Sequence, residues 1–189
     1  MPSHDPAAVR VRRIASADLT AADIEAIRSL LWAAFDSDDE DERFTEDDWQ
    51  HALGGRHVVV SDGDSIVAHA AVVERPIEIG GRALRTGYVE AVASEPQSQR
   101  QGHGTLAMIE VARIIDADFE LGVLGTGSHA FYERLGWRTW RGPSFVRSPD
   151  GLVATPDDDG CLLVLETRRT PRLDPEAPIS CDWRPGDVW

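Results

Sequence analysis

Lysine and asparagine are absent from the 189 residues, and all 19 basic side chains are arginine. A GC-rich genome accounts for that bias, and a salt-adapted acidic surface is the rival explanation. Positive charge is also in deficit. The 33 Asp and Glu residues leave a formal net charge of −14, which disfavours nucleic acid and anionic membranes as partners and favours neutral or cationic ones. Cysteine is nearly missing: Cys161 and Cys181 are too few for a disulfide framework, and neither sits in a metal-spaced pair. No apolar run approaches the ~18 residues of a membrane span. The opening MPSHDPAAVRVRR has no hydrophobic segment that would serve as a secretory signal, so the expected location is cytoplasmic. The six histidines lack paired metal spacing, which leaves them structural or solvent-exposed and implies no metal.

What is present suits one globular domain: 42% of residues are hydrophobic and 28% charged. The acid is concentrated, nine of the thirteen residues from Asp36 to Asp48 being Asp or Glu. Such runs are usually solvated, and this one is expected to steer cations more than to contact them. Val9–Ile14 alternates like a strand. Thr20 is placed to cap a helix whose Ile24, Ile27, Leu30, Leu31 and Phe35 share a face, and Thr45 to cap a short helix EDDWQHAL. Turns at DGD and at Gly80-Gly81 divide the next segment into a three-stranded meander ending in YVEAVAS. A polar loop, SEPQSQRQ, leads into a helix with Leu106, Ile109, Ala112 and Ile115 or their neighbours on its apolar face. ELGVL reads as a buried strand, HAFYERL as a helix stopped by Gly136, and CLLVLET as the last strand. Residues 141–160 are too turn-rich to divide, and the proline-rich tail from Thr170 ends with two tryptophans that need something to dock on. The order of elements predicts an α+β fold with a mixed sheet.

The segment Gln99-Arg100-Gln101-Gly102-His103-Gly104 follows a strand carrying Glu90 and enters a helix. Small residues there leave backbone N–H groups uncovered, and with the helix dipole they form an anion site suited to a pyrophosphate. Taken alone, the same pattern is equally a turn with a close helix contact. In its context of strand, helix and FYERLGW it resembles the GNAT superfamily of acetyl-coenzyme A dependent N-acetyltransferases. Within that superfamily FTEDDWQHALGG, AHAAVVERP, TGYVEAVA, TPDDDG and the ending CDWRPGDVW are similar to the aminoglycoside 2'-N-acetyltransferases.

The resemblance implies a GNAT-like, mostly antiparallel mixed sheet flanked by helices, acetyl-CoA as cosubstrate, direct attack by the substrate amine, a role in antibiotic resistance, and a homodimer. It maps the coenzyme pyrophosphate onto residues 99–104 and the pantetheine arm onto backbone around Val92 and Ala93. Glu90 is implied as the base, acting through water, and Tyr132 as the acid for the coenzyme thiolate, with Val92 N–H as the oxyanion donor. A carboxylate salt-bridged on a sheet face and a core aromatic are the respective alternatives. Asp48, Asp158, Asp187 and the terminal carboxylate of Trp189 are carried over as ligands of the cationic substrate, so that the tail docks near the substrate site. Asp158 reads equally as a turn carboxylate. Arg43 stands where the family pattern has an acid, which moves that contact to Asp41 or Glu42 or removes it. Gly125 stands where a serine is common, leaving Thr126 or Ser128 to substitute. A different aminosugar, a polyamine, or a non-catalytic module binding acyl-coenzyme A or drug are the competing readings.

Overall fold

The computed structural model describes residues 9–38 and 43–189, so Asp41 and Glu42 lie outside the described residues. Among the described residues ten strands and four α-helices follow one another as β1 (Arg10–Ala15), α1 (Ala21–Ala34), α2 (Glu46–His51), β2 (Arg56–Asp62), β3 (Ser65–Ile79), β4 (Arg82–Ser94), α3 (His103–Asp118), β5 (Leu121–Gly125), α4 (His129–Glu133), β6 (Arg138–Thr139), β7 (Ser144–Ser148), β8 (Gly151–Ala154), β9 (Leu162–Glu166) and β10 (Ile179–Asp182). The described residues form two compact units, those up to 71 with 90–111 and those of 72–89 with 112–189; β3 and β4 contribute to both.

In the first unit both expected caps form. Thr20 accepts from the Asp23 N–H and Thr45 from the Asp48 N–H, and each acid reaches back to the cap residue's N–H, completing two capping boxes. α1 buries Ile27, Leu30 and Leu31 in a cluster with Trp49 of α2, Val59 of β2 and Ala93 of β4. β1 runs antiparallel to β2, which neighbours β3. On α3 the buried face is made by Ile115 and the neighbours of the other marked residues: Ala107, Met108, Val111, Ile114 and Ile115 are buried, whereas Leu106 and Ile109 face outward.

The second unit is ordered β6-β9-β5-β4-β3-β10-β7-β8, with β4/β5 and β10/β7 parallel. Gly87 and Gly122 are register partners on β4 and β5. A Cβ on Gly87 would come within 3.1 Å of Ile115 and one on Gly122 within 2.9 Å, so the paired glycines make the trough in which α3 lies. The turn-rich segment is the hairpin β7/β8. The tail is not an appendage: its β10 sits between β3 and β7 and buries Ile179 and Cys181. Gly142 is packed so closely that a Cβ there would lie 1.9 Å from the Ala177 carbonyl oxygen. Gly142→Ala is therefore expected to cost about 3 kcal/mol, the upper end for overpacking, because the obstacle is backbone. Urea denaturation would show this as a lower midpoint at unchanged slope; an unchanged midpoint would contradict it.

Candidate active site

β4 pairs with β5 over Thr86–Tyr88 and then runs on through Glu90, Ala91, Val92 and Ala93. Ala91 has φ +51°, in the left-handed region, where an L-residue with a Cβ costs roughly 1–2 kcal/mol. Something must hold it there. The Ala91 carbonyl accepts a hydrogen bond from His69 Nδ1 at 2.8 Å, and His69 Nε2 lies 2.9 Å from His57 Nδ1. Glu90 and Val92, on either side of Ala91, are half-buried, and Ala93 is buried.

Beyond β4 the chain turns through a 3-10 segment, Pro96–Ser98. Arg100 and Gly102 then take positive φ, +67° and +88°. Leu106 N–H bonds to Gly102 O at 3.0 Å, so the helical ladder of α3 begins there. The N–H groups of His103, Gly104 and Thr105 have no carbonyl a turn below them, which is the arrangement that receives an anion. Gln99, Arg100, Gln101 and Gly102 are exposed, and a Cβ on Gly102 would meet nothing within 4 Å. His103 is buried with Nδ1 lacking a partner among the described residues. Open backbone N–H groups and an unsatisfied ring nitrogen fit a phosphate-bearing cosubstrate.

Asp48 is also in this unit, as the third residue of α2. Its Oδ2 accepts from both the backbone N–H and the hydroxyl of Thr45, each at 2.8 Å, so this oxygen is committed to the cap.

In the second unit, Tyr132 on α4 is 8% exposed, edge-on to Phe131 and Trp137. Burial pushes its phenol up to about 12, so it is protonated, a donor, throughout the neutral range. Of the two candidates to replace the missing serine, Thr126 Oγ1 already accepts from the Ser128 N–H at 2.9 Å. A Cβ on Gly125 would rest at ordinary contact distances, 3.5 Å from the Tyr88 hydroxyl and 3.7 Å from the Trp189 carbonyl carbon, so nothing in the structure explains a glycine there.

The same unit brings Asp158 and Asp187 together. Burial is the first cause that raises the Asp158 carboxyl above its ordinary range; a hydrogen bond from Thr155 opposes it, and the charges of Asp187, Asp157 and Asp159 add to it. The tail is fixed to this place by contacts the sequence did not reveal. Arg75, buried at 8% exposure, donates to the carbonyls of Asp182 (3.1 Å) and Val188 (2.8 Å), with its guanidinium 4.6 Å above the Tyr88 ring. Trp189 Nε1 donates to Thr155 Oγ1 at 3.0 Å, and Thr155 Oγ1 lies 2.8 Å from Ser144 Oγ, itself 2.8 Å from Asp159 Oδ1. Trp189 and Asp158 thus flank one residue, Thr155. Arg75 sits in AHAAVVERP with no motif of its own, and between Glu74 and Pro76 nothing local marks it.

Among the described residues no group of three His, Cys, Asp or Glu side chains is placed to hold a metal, and no helix is long and apolar enough to cross a membrane. Residues 16–140 match the acetyltransferase (GNAT) domain family. An aminoglycoside 2'-N-acetyltransferase of Mycolicibacterium fortuitum is 39% identical over 182 residues, 94% of this chain and 91% of that protein. A GNAT family acetyltransferase from Brucella melitensis, solved with acetyl-CoA, shares the fold at a TM-score of 0.60 and 19% identity, over 92% of this chain and 95% of its own. A GCN5-related N-acetyltransferase from Kribbella flavida superposes at 0.57 and 21% identity over 71% of this chain, which spans only 34% of that larger protein. By this fold and this identity over nearly its whole length, the chain belongs to the aminoglycoside 2'-N-acetyltransferase family of the GNAT superfamily.

Proposed function

We propose that the protein transfers the acetyl group of acetyl-CoA to the 2'-amine of an aminoglycoside by direct attack, and so confers resistance to such drugs. The observation that supports the substrate class is the setting of Asp158: burial first, and then the charges of Asp187, Asp157 and Asp159, raise its carboxyl, and an ammonium group beside it would stabilise its anion. Asp48, with its remaining oxygen, and Trp189 complete the proposed ligand set. The N–H groups opening α3, with Gln99, Arg100, Gln101, Gly102, His103 and Gly104, take the coenzyme's pyrophosphate, and backbone of Val92 and Ala93 takes its pantetheine arm. Acetyl-CoA supplies an activated thioester. Glu90 accepts the proton of the attacking amine through water, Val92 N–H donates to the tetrahedral oxygen, and Tyr132 donates to the departing sulfur. The working form is proposed to be one acetyltransferase domain per chain, assembled as a cytoplasmic homodimer.

Steady-state kinetics of Asp158→Asn tests the substrate assignment. A charged hydrogen bond contributes roughly 1.5–3 kcal/mol, so the KM for an aminoglycoside should rise about 10–100-fold while that for acetyl-CoA stays put. The pH dependence has a definite sign. A raised carboxyl is neutral below its shifted value and anionic above, so binding of the cation weakens as pH falls through that value, sooner than for an ordinary aspartate. Asp158→Asn should abolish this acid limb. An unchanged KM would remove Asp158 from the site.

A further inference from the structure

We infer that His57 and His69 are positioning residues for acetyl transfer: together they fix and polarise the Ala91–Val92 peptide, whose N–H is the proposed oxyanion donor. The inference rests on the functional reading above for the role of Val92, but on geometry alone for the histidines.

Both side chains are fully buried, His57 on β2 and His69 on β3. The hydrogen bonds around them admit one arrangement. A carbonyl oxygen only accepts, so His69 must donate to Ala91 O through Nδ1–H at 2.8 Å. Burial holds both rings neutral, lowering His69 to about 3 and His57 to about 4, so each ring carries one proton. His69 Nε2 is then an acceptor, His57 fills it from Nδ1–H at 2.9 Å, and His57 Nε2 in turn accepts from the Ser16 hydroxyl at 2.9 Å. The Gly55 carbonyl, which accepts the Ser16 backbone N–H at 3.0 Å, also lies 3.2 Å from that hydroxyl, but a hydroxyl proton given wholly to it would leave Ser16 Oγ and the bare His57 Nε2 facing each other as two acceptors. The Trp49 ring, 6.1 Å from that of His57, adds no charge. The chain of donors therefore runs in one direction, from Ser16 to Ala91.

Two consequences follow from where it ends. A backbone carbonyl cannot pass a proton on, so this is no relay for the amine proton. The Ala91 C=O and the Val92 N–H belong to one planar trans peptide and point opposite ways. Anchoring the oxygen on His69 aims the N–H away from the histidines, and a carbonyl that accepts from an already polarised donor makes its own N–H a stronger one. The left-handed Ala91 is the turn in the backbone that brings this peptide into line.

The test combines NMR of the histidine nitrogens with kinetics. In the full-length wild-type protein, long-range ¹H–¹⁵N spectra should show His57 and His69 both as the Nδ1–H tautomer and untitrated from pH 8 to 5.5. An Nε2–H tautomer at His69 would overturn the inference whatever the substrate proves to be. His69→Asn keeps a donor near the Nδ1 position, whereas His69→Leu keeps none. We expect kcat to fall about 20-fold in His69→Leu, with aminoglycoside KM changed less than twofold, and to recover to within about threefold of wild type in His69→Asn even though both variants lose thermal stability. Equal kcat in the two folded variants would overturn the positioning role. Ser16→Ala, at the rim of the chain, covers the case in which His69→Leu fails to fold: His57 should keep its Nδ1–H tautomer, because His69 Nε2 still takes that proton, while its Nε2 resonance shifts on loss of the Ser16 donor and kcat falls about threefold; a wild-type Nε2 resonance and rate, or an Nε2–H tautomer at His57, would count against the inference. A wild type that acetylates no amine would overturn the functional reading, and the tautomer result would still decide the geometry.

Discussion

Replacing Glu90 with glutamine is expected to lower kcat by about 100–1,000-fold near pH 7, the range for loss of a general base, with little change in either KM. The amine of a cationic substrate arrives protonated, so it cannot attack until a group of this protein or the solvent takes the proton. Glutamine has nearly the shape of glutamate and cannot accept it. The deficit should shrink as pH rises, because an increasing fraction of the amine is then already free. Rates of Glu90→Gln should climb close to tenfold per pH unit below the amine's own pKa, while wild type reaches its plateau earlier. A constant ratio of variant to wild type across pH would assign Glu90 to structure, the salt-bridged carboxylate of a sheet face.

Tyr132→Phe is expected to reduce kcat about 100-fold, the effect of removing one donor to a developing anion. The ring is packed against Phe131 and Trp137, and phenylalanine preserves that packing, so the thermal midpoint should stay close to wild type. The upward direction of the tyrosine's shift bears on its proposed role. A phenol at about 12 sits roughly 3–4 units above an ordinary thiol near 8.5, so complete transfer of its proton to the leaving thiolate would be uphill. In the proposed mechanism Tyr132 would therefore act on the departing sulfur as a hydrogen-bond donor, with solvent finishing the protonation. Because the shift is upward, wild-type kcat should show no basic limb from this residue below pH 10. A kcat within threefold of wild type in Tyr132→Phe would make the residue a core aromatic only.

Local chemistry was the legible part of this sequence. Thr20 and Thr45 announced their helices because a capping box is written within four residues. The meander was legible because its turns carry glycine, and the loop of residues 99–104 because small residues before an amphipathic helix are a local pattern. Long-range pairing was not. β10 lies in a proline-rich tail and is a strand because β3 and β7 flank it, a fact no window of residues contains. Periodicity alone left the face of α3 open between Leu106, Ile109, Ala112, Ile115 and their neighbours, because apolar residues occupy much of its circumference; the structure buries Ala107, Met108, Val111, Ile114 and Ile115 and leaves Leu106 and Ile109 outside. Asp48 shows one residue with two tasks: family likeness implies a ligand, and its place three residues after Thr45 has committed Oδ2 to the helix cap. Taken singly, His57 and His69 look structural or solvent-exposed, since their meaning lies in each other. Their only sequence signal was two histidines on adjoining strands of one hairpin.

The most direct measurement of the central claim is thiol release from acetyl-CoA with two aminoglycosides that differ in bearing an amine or a hydroxyl at the 2' position, beside spermidine and a blank. The account predicts release with the 2'-amine drug alone. Release with both drugs would move the acetylated position, and release with spermidine but neither drug, or with none of the three despite measurable coenzyme binding, would contradict the account.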